Sequence, residues 1–559
     1  MALSRFLIPL TERRHYGHST SAVTPDPEHT MIDRDHLLPQ LLRRRGTEQP
    51  DRIFIQQIEA ERTLTYGEAH HNSLRWAHAF KRIGIGKKDT VISMLPVGFD
   101  AVHCWVGLNW LVAWEVPVNT GYQGMMLAYT LQNSNAKIAV ISERYLDRVA
   151  ALRPDEIGSI ETIVVPDGTA PLPDLGVTMM TGESFLAGFE SPADDFEGPQ
   201  PWDVTEIFYT SGTTGPSKGV LYTHAQQAAT INAFAVDWTE DDVYYCPFPM
   251  YHVSGKMFLY AFALRGMRGV IREYFKTDEF WTDVKKYGCT STLLLGAMAN
   301  FIYRQPEHPD EIDSPMDKVL MVPLIPEIEQ FNKRFGTRIH TVFNMTEISS
   351  PIKAGFEDTL TMPSTSCGKV RRGYECRVVD ENDIEVPRGK LGELIVRSDE
   401  PWALNAGYFN MAEKTAEAWR NGWFHTGDGF VQDEEGWFHF VDRQKDAIRR
   451  RGENISSMEV ESHVNTHPSV LETAAIAVPS EWGEDEVKIV VVLKPGEMVG
   501  ADTLHAYLSE IMPRFMVPRF IEFVDALPKT PTEKVRKVAL REAGITPSTW
   551  DKTTVAKLK

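Results

Sequence analysis

The segment YTSGTTGPSKGV, from Tyr209 to Val220, combines residue types that can bind phosphate. Ile207 to Tyr209 predicts a strand, and small, polar and glycine residues follow it as far as Lys218. Such a loop lets backbone N–H groups and hydroxyls approach a phosphate closely, and the lysine supplies a positive charge. The GxxxxGK[ST] spacing of a Walker loop is absent, because Lys218 is followed by Gly219. On composition alone, a flexible surface loop is an equally good interpretation.

Five further motifs follow this loop along the chain. They are Phe343-Asn344-Met345-Thr346-Glu347, Gly392-Glu393-Leu394, Trp423-Phe424-His425-Thr426-Gly427-Asp428, Asp442-Arg443-Gln444-Lys445-Asp446 and Pro528-Lys529-Thr530-Pro531-Thr532-Glu533-Lys534. In this order the motifs resemble those of the adenylate-forming superfamily, which contains acyl-CoA synthetases, luciferases and peptide-synthetase adenylation domains. The resemblance extends from about residue 40 onward. It implies an AMP-forming acid–thiol ligase that uses ATP, Mg²⁺ and coenzyme A.

The resemblance assigns a nucleotide site to residues of these motifs. The positions implied are Thr210, Ser211, Gly212, Thr213, Thr214, Lys218, Phe343, Asn344, Met345, Asp428 and Arg443. Phe343 would stack on adenine. Asp428 would accept hydrogen bonds from the ribose hydroxyls, for which an ionised carboxylate with two oxygens is suited. Glu347 would hold Mg²⁺, since a hard cation prefers carboxylate and phosphate oxygens, and Thr346 would lie near the α-phosphate.

The catalytic residues that the resemblance implies are Lys534, Thr346, Glu347 and His252. Lys534 would bridge the carboxylate substrate and the α-phosphate, because attack of one anion on another requires positive charge in the transition state. The residue types alone do not distinguish it from Lys529 or Lys537, and the family spacing selects Lys534. Glu533 occupies the position at which relatives usually carry Ser or Gly. His252 is in register with an aromatic-rich motif that lines the acyl site.

Two other implied roles concern domain rotation and coenzyme A. Lys445 occupies the position of the family hinge, which lets the small domain rotate between the two half-reactions. Further along, Gly452 would leave room for the thiol arm, and Arg450 would meet the phosphates of coenzyme A. An ordinary solvated charge run remains the alternative interpretation of Arg449 to Arg451.

The acid that is activated is predicted less directly. The stretches Trp437–Arg443 and Met321–Leu324 resemble crotonobetaine/carnitine-CoA ligases and their relatives. Asn344 replaces a family glycine beside the acyl pocket, which adds bulk and an amide that can donate and accept hydrogen bonds. We therefore expect a short or polar carboxylic acid. Lys256 is expected to be a snorkelling surface lysine, with contact to a second anionic group of the substrate as the alternative.

Layers of helix and strand must position these motifs. From about Leu64 the apolar pattern alternates, with a helix ending near Ile83, a strand at Thr90–Leu95 and a helix at Phe99–Val112. Such alternation predicts an α/β fold with a mostly parallel sheet. Residues 155–201 are rich in Pro, Gly and Asp and predict a loop-heavy connection.

The rest of the chain predicts a second α/β subdomain, a small β segment and a smaller domain. The α/β pattern resumes at Val204 and continues to about Glu347, and Cys376–Arg397 reads as the β segment. Strands at Ala474–Val478 and Val487–Leu493 indicate a compact α+β domain at the C-terminal end. The predicted division is an N-terminal extension of residues 1–35, a large AMP-binding domain of residues 36–442 and a small, mobile C-terminal domain of residues 443–559.

Composition narrows the function classes. A formal net charge of −19 argues against a nonspecific nucleic-acid binder. Five scattered cysteines without a CxxC pair predict free thiols in a reducing compartment, and no apolar stretch approaches the roughly 18 residues of a membrane span. We expect a cytoplasmic enzyme acting on small molecules, with a homodimer left open. Two alternatives stay open: an adenylate-forming enzyme with another acceptor, luciferase-like or stand-alone, and a nucleotide-binding protein without catalysis.

Overall fold

The computed structural model of the protein describes residues 32–210, 217–233, 235, 237–363, 365–443, 448–450, 453–455, 457–479, 485–512, 516–530 and 534–553. Six positions of the predicted site lie outside these ranges, namely Ser211, Gly212, Thr213, Thr214, Lys445 and Gly452. For Arg443 the backbone is described. The other predicted site residues can be followed in the structure.

The helices and strands are numbered here in chain order. The α-helices are α1 Leu38–Glu48, α2 Tyr66–Arg82, α3 Phe99–Trp110, α4 Gly124–Asn133, α5 Leu146–Ala150, α6 Gly182–Leu186, α7 His224–Asn232, α8 Val253–Arg265, α9 Phe280–Tyr287, α10 Gly296–Arg304, α11 Ile328–Phe335, α12 Asp358–Thr361, α13 Ala412–Ala418, α14 Ser457–Asn465, α15 Ala501–Ile511 and α16 Lys537–Ala543. The strands are β1 Ile53–Gln57, β2 Arg62–Thr65, β3 Thr90–Met94, β4 Trp114–Pro117, β5 Ile138–Ile141, β6 Thr162–Val165, β7 Thr178–Thr181, β8 Val204–Thr210, β9 Lys218–Thr223, β10 Val243–Cys246, β11 Arg268–Ile271, β12 Ser291–Leu295, β13 Lys318–Val322, β14 Arg338–Met345, β15 Ser349–Ala354, β16 Ser366–Val370, β17 Tyr374–Val379, β18 Leu391–Ser398, β19 Phe424–Gln432, β20 Phe438–Arg443, β21 Ile448–Arg450, β22 Glu453–Ile455, β23 Val470–Pro479, β24 Asp485–Leu493, β25 Phe520–Phe523 and β26 Trp550–Asp551.

The first sheet has seven strands in the order β7-β6-β5-β3-β4-β8-β9. All of its neighbouring strands run parallel except the β8–β9 hairpin at the edge. The strands β3 and β5 are buried along their whole length, as parallel strands covered on both faces should be. The predicted α/β class with a mostly parallel sheet is confirmed.

A second sheet of thirteen strands has the order β17-β18-β19-β20-β16-β15-β14-β13-β12-β10-β11-β1-β2. The strands from β14 to β1 in this order pair in parallel. Beyond β14 the pairing becomes antiparallel through β15, β16, β20, β19, β18 and β17. The parallel α/β unit and the predicted small β segment therefore share one continuous sheet, and β14 lies at the change between them.

The helix α2 illustrates how the sequence forms the first layer. Thr65 caps its N-terminus in a capping box with Glu68, and it ends just before Gly84, whose φ of +91° is readily adopted only by glycine. Its buried face carries Trp76 and Phe80. A Cβ on Gly107 of α3 would lie 2.8 Å from the Cβ of Trp76, so glycine permits the close approach of the two helices.

The prediction of a loop-heavy connection over residues 155–201 was wrong in one respect. Two parallel strands, β6 and β7, and the short helix α6 lie inside it. Each strand is only four residues long, and Pro and Gly surround both, so turn residues outweigh the strand signal in any longer window. Contacts with the large domain also begin before residue 36, since the backbone N–H of Ile32 donates to Glu400 and Arg34 pairs with Glu197 at 3.0 Å.

The C-terminal part contains a four-stranded sheet, β23-β24-β25-β26, and the small hairpin β21–β22. Its own apolar core contains Val460, Ile489, Leu504 and Ile521, which are all fully buried. This is the predicted smaller α+β domain beside a large α/β domain. Within the described ranges, every helix is too short or too polar to serve as a membrane span.

Candidate active site

The phosphate-binding loop predicted from the sequence joins the two strands of the β8–β9 hairpin. Thr210, the last residue of β8, pairs with Lys218, the first residue of β9. The hydroxyl of Tyr129 donates to the carbonyl oxygen of Ser217 at 3.0 Å and holds the second arm of the hairpin. The sheet therefore fixes both described ends of the loop, and it also fixes the backbone of Lys218.

A second segment, residues 406–409, runs along the outer side of this hairpin. The N–H of Leu221 donates to the carbonyl of Gly407 at 3.0 Å, and the N–H of Phe409 donates to that of Gly219 at 2.7 Å. This pairing places Tyr408 beside Lys218, whose ammonium lies 4.7 Å from the centre of the tyrosine ring. Tyr408 lies outside the motifs from which the site residues were predicted.

Tyr408 in turn contacts the predicted metal ligand, Glu347. The tyrosine hydroxyl donates to Oε1 of Glu347 at 3.1 Å, and the carboxylate is 8% exposed. Burial, followed by the neighbouring Glu347 carboxylate, raises the pKa of Tyr408 well above its usual range, so the hydroxyl keeps its proton and remains a donor. The backbone N–H of Asn405 and its side-chain amide both donate to the carbonyl of Glu347, at 2.9 and 3.0 Å. The orientation of Glu347 is thus set at both its backbone and its side chain.

The donor set around Glu347 fits Mg²⁺ of the kind that is held mainly by substrate. Among the described residues, no group of three or more His, Cys, Asp or Glu side chains lies close enough together to hold a metal ion. Mg²⁺ is commonly bound in proteins through one or two carboxylates together with phosphate oxygens and water. Glu347, which is joined through Tyr408 to the hairpin of the predicted phosphate-binding loop, would supply the carboxylate of such an arrangement.

The predicted adenine-stacking residue, Phe343, lies on β14 in an aromatic cluster. Its ring centre is 4.8 Å from that of Phe430 and 6.4 Å from that of Phe440. Met345, two residues further along β14, packs against the same cluster, as the two-residue period of a strand requires. Thr346 follows β14, and its carbonyl accepts a hydrogen bond from the side chain of Gln226 on α7 at 2.8 Å.

The predicted ribose-binding residue, Asp428, lies on β19 and is 5% exposed. Glu393 on the neighbouring strand β18 organises the turn that leads to it, because its carboxylate accepts from the N–H of Gly427 at 2.9 Å. The same carboxylate contacts Nδ1 of His425 and the guanidinium of Arg420, each at 3.1 Å. Gly427 has φ of +71°, which favours glycine. Glu393, known from the sequence only as part of a motif, is therefore a positioning residue for Asp428.

Arg443 is the residue of β20 that pairs with Asp428 of β19. The two residues that the family resemblance assigned to the nucleotide are thus direct neighbours across two strands. They come from positions fifteen residues apart in the sequence (443 minus 428). Their pairing was not predicted from the sequence.

His252 forms the N-cap of α8. Its Nδ1 accepts from the backbone N–H of Ser254 at 3.1 Å and lies 2.7 Å from the Ser254 hydroxyl. A ring nitrogen that accepts carries no proton, so this contact assigns the neutral tautomer with hydrogen on Nε2. Burial, with a smaller contribution from the charge of Lys534, lowers the pKa of His252 to about 4. His252 therefore presents a neutral Nε2–H donor at neutral pH.

Lys534 belongs to the small domain, and its positive charge contributes to the lowered pKa of His252 in the large domain. Lys534 is exposed, and its backbone N–H donates to the hydroxyl of Thr530 at 3.1 Å. Of the two other candidate lysines, Lys529 pairs with Glu472 and Lys537 with Glu461, each at 2.8 Å. The choice of Lys534 still rests on the family spacing and stays a prediction.

Two expectations from the sequence need correction. Lys256 is not a surface lysine, since it is 1% exposed and its ammonium contacts the carboxylates of Glu115 and Glu206. Arg450 is also buried, at 8% exposure; its guanidinium pairs with Glu486 at 2.6 Å and donates to the carbonyl of Val517 at 2.9 Å. These contacts lie within the small domain and argue against the predicted binding of coenzyme A phosphates by Arg450. A run of charged residues does not indicate such pairs, because the partners are distant in the sequence.

Comparison with known proteins gives the context for this site. The profile of the AMP-binding enzyme family matches residues 42–409, and that of the AMP-binding enzyme C-terminal domain matches residues 459–534. The crotonobetaine/carnitine–CoA ligase of Salmonella agona (strain SL483) is 30% identical over 491 residues, which are 86% of this chain and 93% of that protein.

Solved structures show the same fold. ATP-bound MatB from Rhodopseudomonas palustris has a TM-score of 0.77 at 24% identity and covers 90% of this chain and 98% of its own. The anthranilate CoA ligase AuaEII in complex with anthranoyl-AMP has a TM-score of 0.80 at 21% identity and covers 94% of this chain and 98% of its own. Since the family profile spans more than half of the sequence, the chain belongs to the AMP-binding enzyme family.

Proposed function

We propose that the protein activates a short or polar carboxylic acid and transfers it to coenzyme A. Its class is that of the AMP-forming acid–thiol ligases, which join a carboxylic acid to coenzyme A through an acyl-adenylate. The observation that carries the proposal is the convergence of Lys218, Tyr408 and Glu347 at one end of the β8–β9 hairpin. A carboxylate for Mg²⁺ and an ammonium for phosphate are what ATP requires.

In the first half-reaction we assign each residue a role that its surroundings support. Lys218 and the hairpin bind the phosphates, and Mg²⁺ held by Glu347 would neutralise negative charge on them. Asp428 and Phe343 hold ribose and adenine. Lys534 balances the charge that develops as the carboxylate oxygen attacks the α-phosphorus and pyrophosphate leaves. The Nε2–H of His252 donates to the acyl side of the same centre.

In the second half-reaction the thiol of coenzyme A attacks the adenylate carbonyl, the C–O bond to phosphate breaks, and AMP leaves. We propose that the small domain reorients for this step, as the family hinge implies, since the charge of Lys534 acts on His252 in the present arrangement. Lys445, which lies outside the described residues, remains the proposed hinge. The sites for coenzyme A proposed from the sequence reduce to Gly452, since Arg450 is engaged by Glu486.

The proposal of a short or polar acid rests on Asn344. Its neighbours on β14, Phe343 and Met345, pack in the aromatic cluster, and Asn344 lies between them on the strand that pairs with β15. Its side-chain nitrogen donates to the hydroxyl of Ser350 at 2.9 Å, which fixes the amide in place. An ordered amide shortens an acyl site and offers hydrogen-bonding capacity to a polar substituent. The named acids of the curated relatives, crotonobetaine and carnitine, are of this kind.

The test is a panel of acids assayed with ATP, Mg²⁺ and coenzyme A, with acyl-CoA and AMP followed by mass spectrometry. The panel contains betaines, short hydroxy acids, aryl acids and fatty acids. We expect turnover of the short polar group, and we expect Asn344→Gly to widen acceptance towards longer chains. Preference of the unaltered enzyme for long fatty acids would contradict the proposal. Adenylate without thioester would instead indicate a different acceptor.

The same proposal places the enzyme in the cytosol. All five cysteines are free in the structure, and Cys104, Cys246 and Cys289 are buried. Free buried thiols are typical of proteins from reducing compartments. Fractionation with an antibody against the protein tests this, and recovery with an organelle fraction would contradict it.

A further inference from the structure

The buried cluster around Lys256 has no assigned role in the reaction. Lys256 lies on the first turns of α8, and its Nζ contacts Oε2 of Glu115 and, at 2.8 Å, Oε2 of Glu206. All three residues are no more than 1% exposed. The ammonium also lies 4.9 Å from the ring centre of Trp105. A lysine with two carboxylates is therefore enclosed between α8 and the first sheet.

The positions of the two carboxylates in the first sheet explain why a positive charge is required here. Glu115 of β4 and Glu206 of β8 are direct partners on adjacent parallel strands. Like charges opposite each other on neighbouring strands repel, and burial makes each ionised carboxylate costly. The ammonium of Lys256 contacts both carboxylates and supplies one positive charge between them. Within the described structure, Oε1 of Glu206 is buried without a hydrogen-bond partner, so the cluster depends on Lys256 for its balance.

The position of the cluster connects two parts of the predicted active site. His252, the N-cap of α8, precedes Lys256 by four residues, and the N–H of Lys256 is directed at the His252 carbonyl at 3.4 Å. Glu206 precedes Thr210 by four residues along β8, and Thr210 is the last residue before the phosphate-binding loop. A single set of ion pairs therefore joins the helix that carries His252 to the strand that carries the loop.

We propose that Lys256 is a positioning residue: through Glu115 and Glu206 it fixes the N-terminus of α8, and with it His252, relative to the phosphate-binding hairpin. The inference rests on the role proposed above for His252. It accounts for a lysine in an otherwise apolar stretch of α8, where an uncharged residue would pack at lower cost. Lys256 does not touch the substrate and acts through the position of His252.

The cluster also links this geometry to pH. Burial raises the pKa of Glu206 to about 7, Lys256 opposes this shift, and Glu115 adds to it. Two other titratable groups face the cluster, Cys104 of α3 and Tyr222 of β9, and burial raises the pKa of each above its usual range, so both stay neutral. Above about pH 7 the cluster gains one uncompensated negative charge. The ion pairs that hold the N-terminus of α8 in place then weaken, and we expect kcat/KM for the acid to fall.

The first test compares Lys256→Met with Lys318→Met. Lys318 is the matched control, because it is also a largely buried lysine of the large domain and pairs with Asp242 at 2.8 Å. That pair lies at the amino end of β13, away from the carboxyl ends of the parallel strands where ligands bind. We expect Lys256→Met to lower kcat/KM for the acid about 100-fold with the Kd for ATP unchanged, since small misplacements of reacting groups have effects of this size. Lys318→Met should change neither.

Hydrogen exchange provides a readout that requires no turnover. In Lys256→Met the amides of residues 252–258 should exchange faster than in the unaltered protein, whereas in Lys318→Met they should not. Protection of these amides equal to that of the unaltered protein would overturn the inference, whichever acid the enzyme uses. Failure of every acid in the panel, with the exchange difference present, would instead count against the proposed function.

Glu206→Gln keeps the inference testable if Lys256→Met does not fold. The amide keeps an acceptor for Lys256 but cannot ionise. We expect the kcat/KM of the unaltered enzyme to fall as pH rises through about 7 and that of Glu206→Gln to stay level. Asp242→Asn is the control and should retain the fall. Identical profiles for the unaltered enzyme and Glu206→Gln would overturn the inference.

Discussion

At the scale of single residues, Glu347 is the proposed ligand of a metal ion and is nearly excluded from water. The hydroxyl of Tyr408 and the two amide donors of Asn405 hold it in one orientation, and Lys218 lies on the other side of the tyrosine ring. A carboxylate held in this way can meet a hard cation without first reorganising. We therefore propose that Tyr408 belongs to the nucleotide site together with the residues that the family motifs predict.

Replacement of Tyr408 by phenylalanine tests this role. The ring beside Lys218 is kept, but Glu347 loses a donor to its carboxylate, and such charge-assisted bonds contribute about 1.5 kcal/mol or more. We expect the concentration of Mg²⁺ at half-maximal activity to rise about tenfold, which is the equivalent of that energy.

Tyr66→Phe is the control for Tyr408→Phe. Its hydroxyl is also buried and donates to the carbonyls of Phe262 and Met267, far from the hairpin in sequence. This change should lower stability and leave the Mg²⁺ dependence unchanged. An unaltered Mg²⁺ dependence in Tyr408→Phe would show that the tyrosine hydroxyl does not orient Glu347.

At the scale of elements, β18 and β19 show how a strand pair presents a ribose ligand. Asp428 follows a glycine with positive φ, and Glu393 of the adjacent strand accepts from that glycine's N–H. The hydroxyl of Thr426 donates to the carbonyl of Leu394 at 2.7 Å and accepts from the N–H of Asp428 at 3.1 Å. The strand pair is therefore locked at the point from which the Asp428 carboxylate emerges.

Glu393→Gln should weaken nucleotide binding without slowing the chemistry at saturation. One carboxylate oxygen that accepts from Gly427 or His425 becomes an amide donor, which leaves one of these contacts unmet at a cost of about 1.5 kcal/mol. We expect the Kd for ATP, measured by calorimetry, to rise about tenfold.

Glu375→Gln is the matched control for Glu393→Gln. This residue lies on β17 of the same β segment, but its ion pairs with Arg377 and Arg397 are partly exposed and contribute little. Its ATP affinity should equal that of the unaltered protein. An equal loss in both variants would mean that general damage to the β segment, and not the turn before Asp428, causes the effect.

The elements also show what could be predicted from the sequence. The alternation of helix and strand could be predicted because its periodicity is local. Lys218, Glu347, Asp428 and Lys534 could be proposed as site residues because each lies in a contiguous motif. The strands β6 and β7 were missed because each has four residues between turn formers.

Contacts between distant residues could not be predicted from one sequence. Lys256 meets Glu115 from 141 residues away, and Tyr408 meets Glu347 from 61 residues away. The two residues of such a pair become neighbours only when the sheets form, so no local sequence pattern indicates the pair. A buried salt bridge and a surface charge therefore have the same appearance in the sequence, which is why Lys256 and Arg450 were misjudged.

At the scale of the whole molecule, several histidines are buried in neutral form. Burial lowers the pKa of His103, His224 and His340 to about 3 each. Both ring nitrogens of His224 lack a hydrogen-bond partner in the described structure. In the unfolded chain these histidines have a pKa near 6.5. As the pH falls, the unfolded state therefore binds protons before the folded state does. Their contribution to stability is complete above pH 6.5 and is lost as the pH falls from there towards 3.

Mild acid should therefore destabilise the protein, and His224→Gln should reduce this sensitivity. Removal of one such group decreases the loss of unfolding free energy by up to about 1.4 kcal/mol per pH unit below pH 6.5. Urea titrations at several pH values measure this slope. His36, which is exposed, provides the control, since His36→Gln should leave the slope as it is. Equal slopes for His224→Gln and the unaltered protein would contradict the prediction.

The two domains contribute different parts of the proposed active site. The large domain carries the proposed nucleotide site, and the charge of Lys534 in the small domain contributes to the lowered pKa of His252. Asp442, at the end of the large domain, accepts from the backbone N–H of Ser457 at 2.7 Å and so links the domains next to the proposed hinge. Under the proposed function we expect this arrangement to be the one that forms the adenylate.

The most direct measurement separates the two half-reactions in Lys534→Ala and Lys529→Ala. Adenylate formation is followed by pyrophosphate release, and thioester formation is followed from synthetic acyl-adenylate and coenzyme A. We expect Lys534→Ala to slow the first about 100-fold or more and to leave the second near normal, because a charge at the reacting phosphate is lost. Lys529, five residues before Lys534 in the same motif but paired with Glu472, should be dispensable for both. Normal adenylate formation by Lys534→Ala would contradict the account.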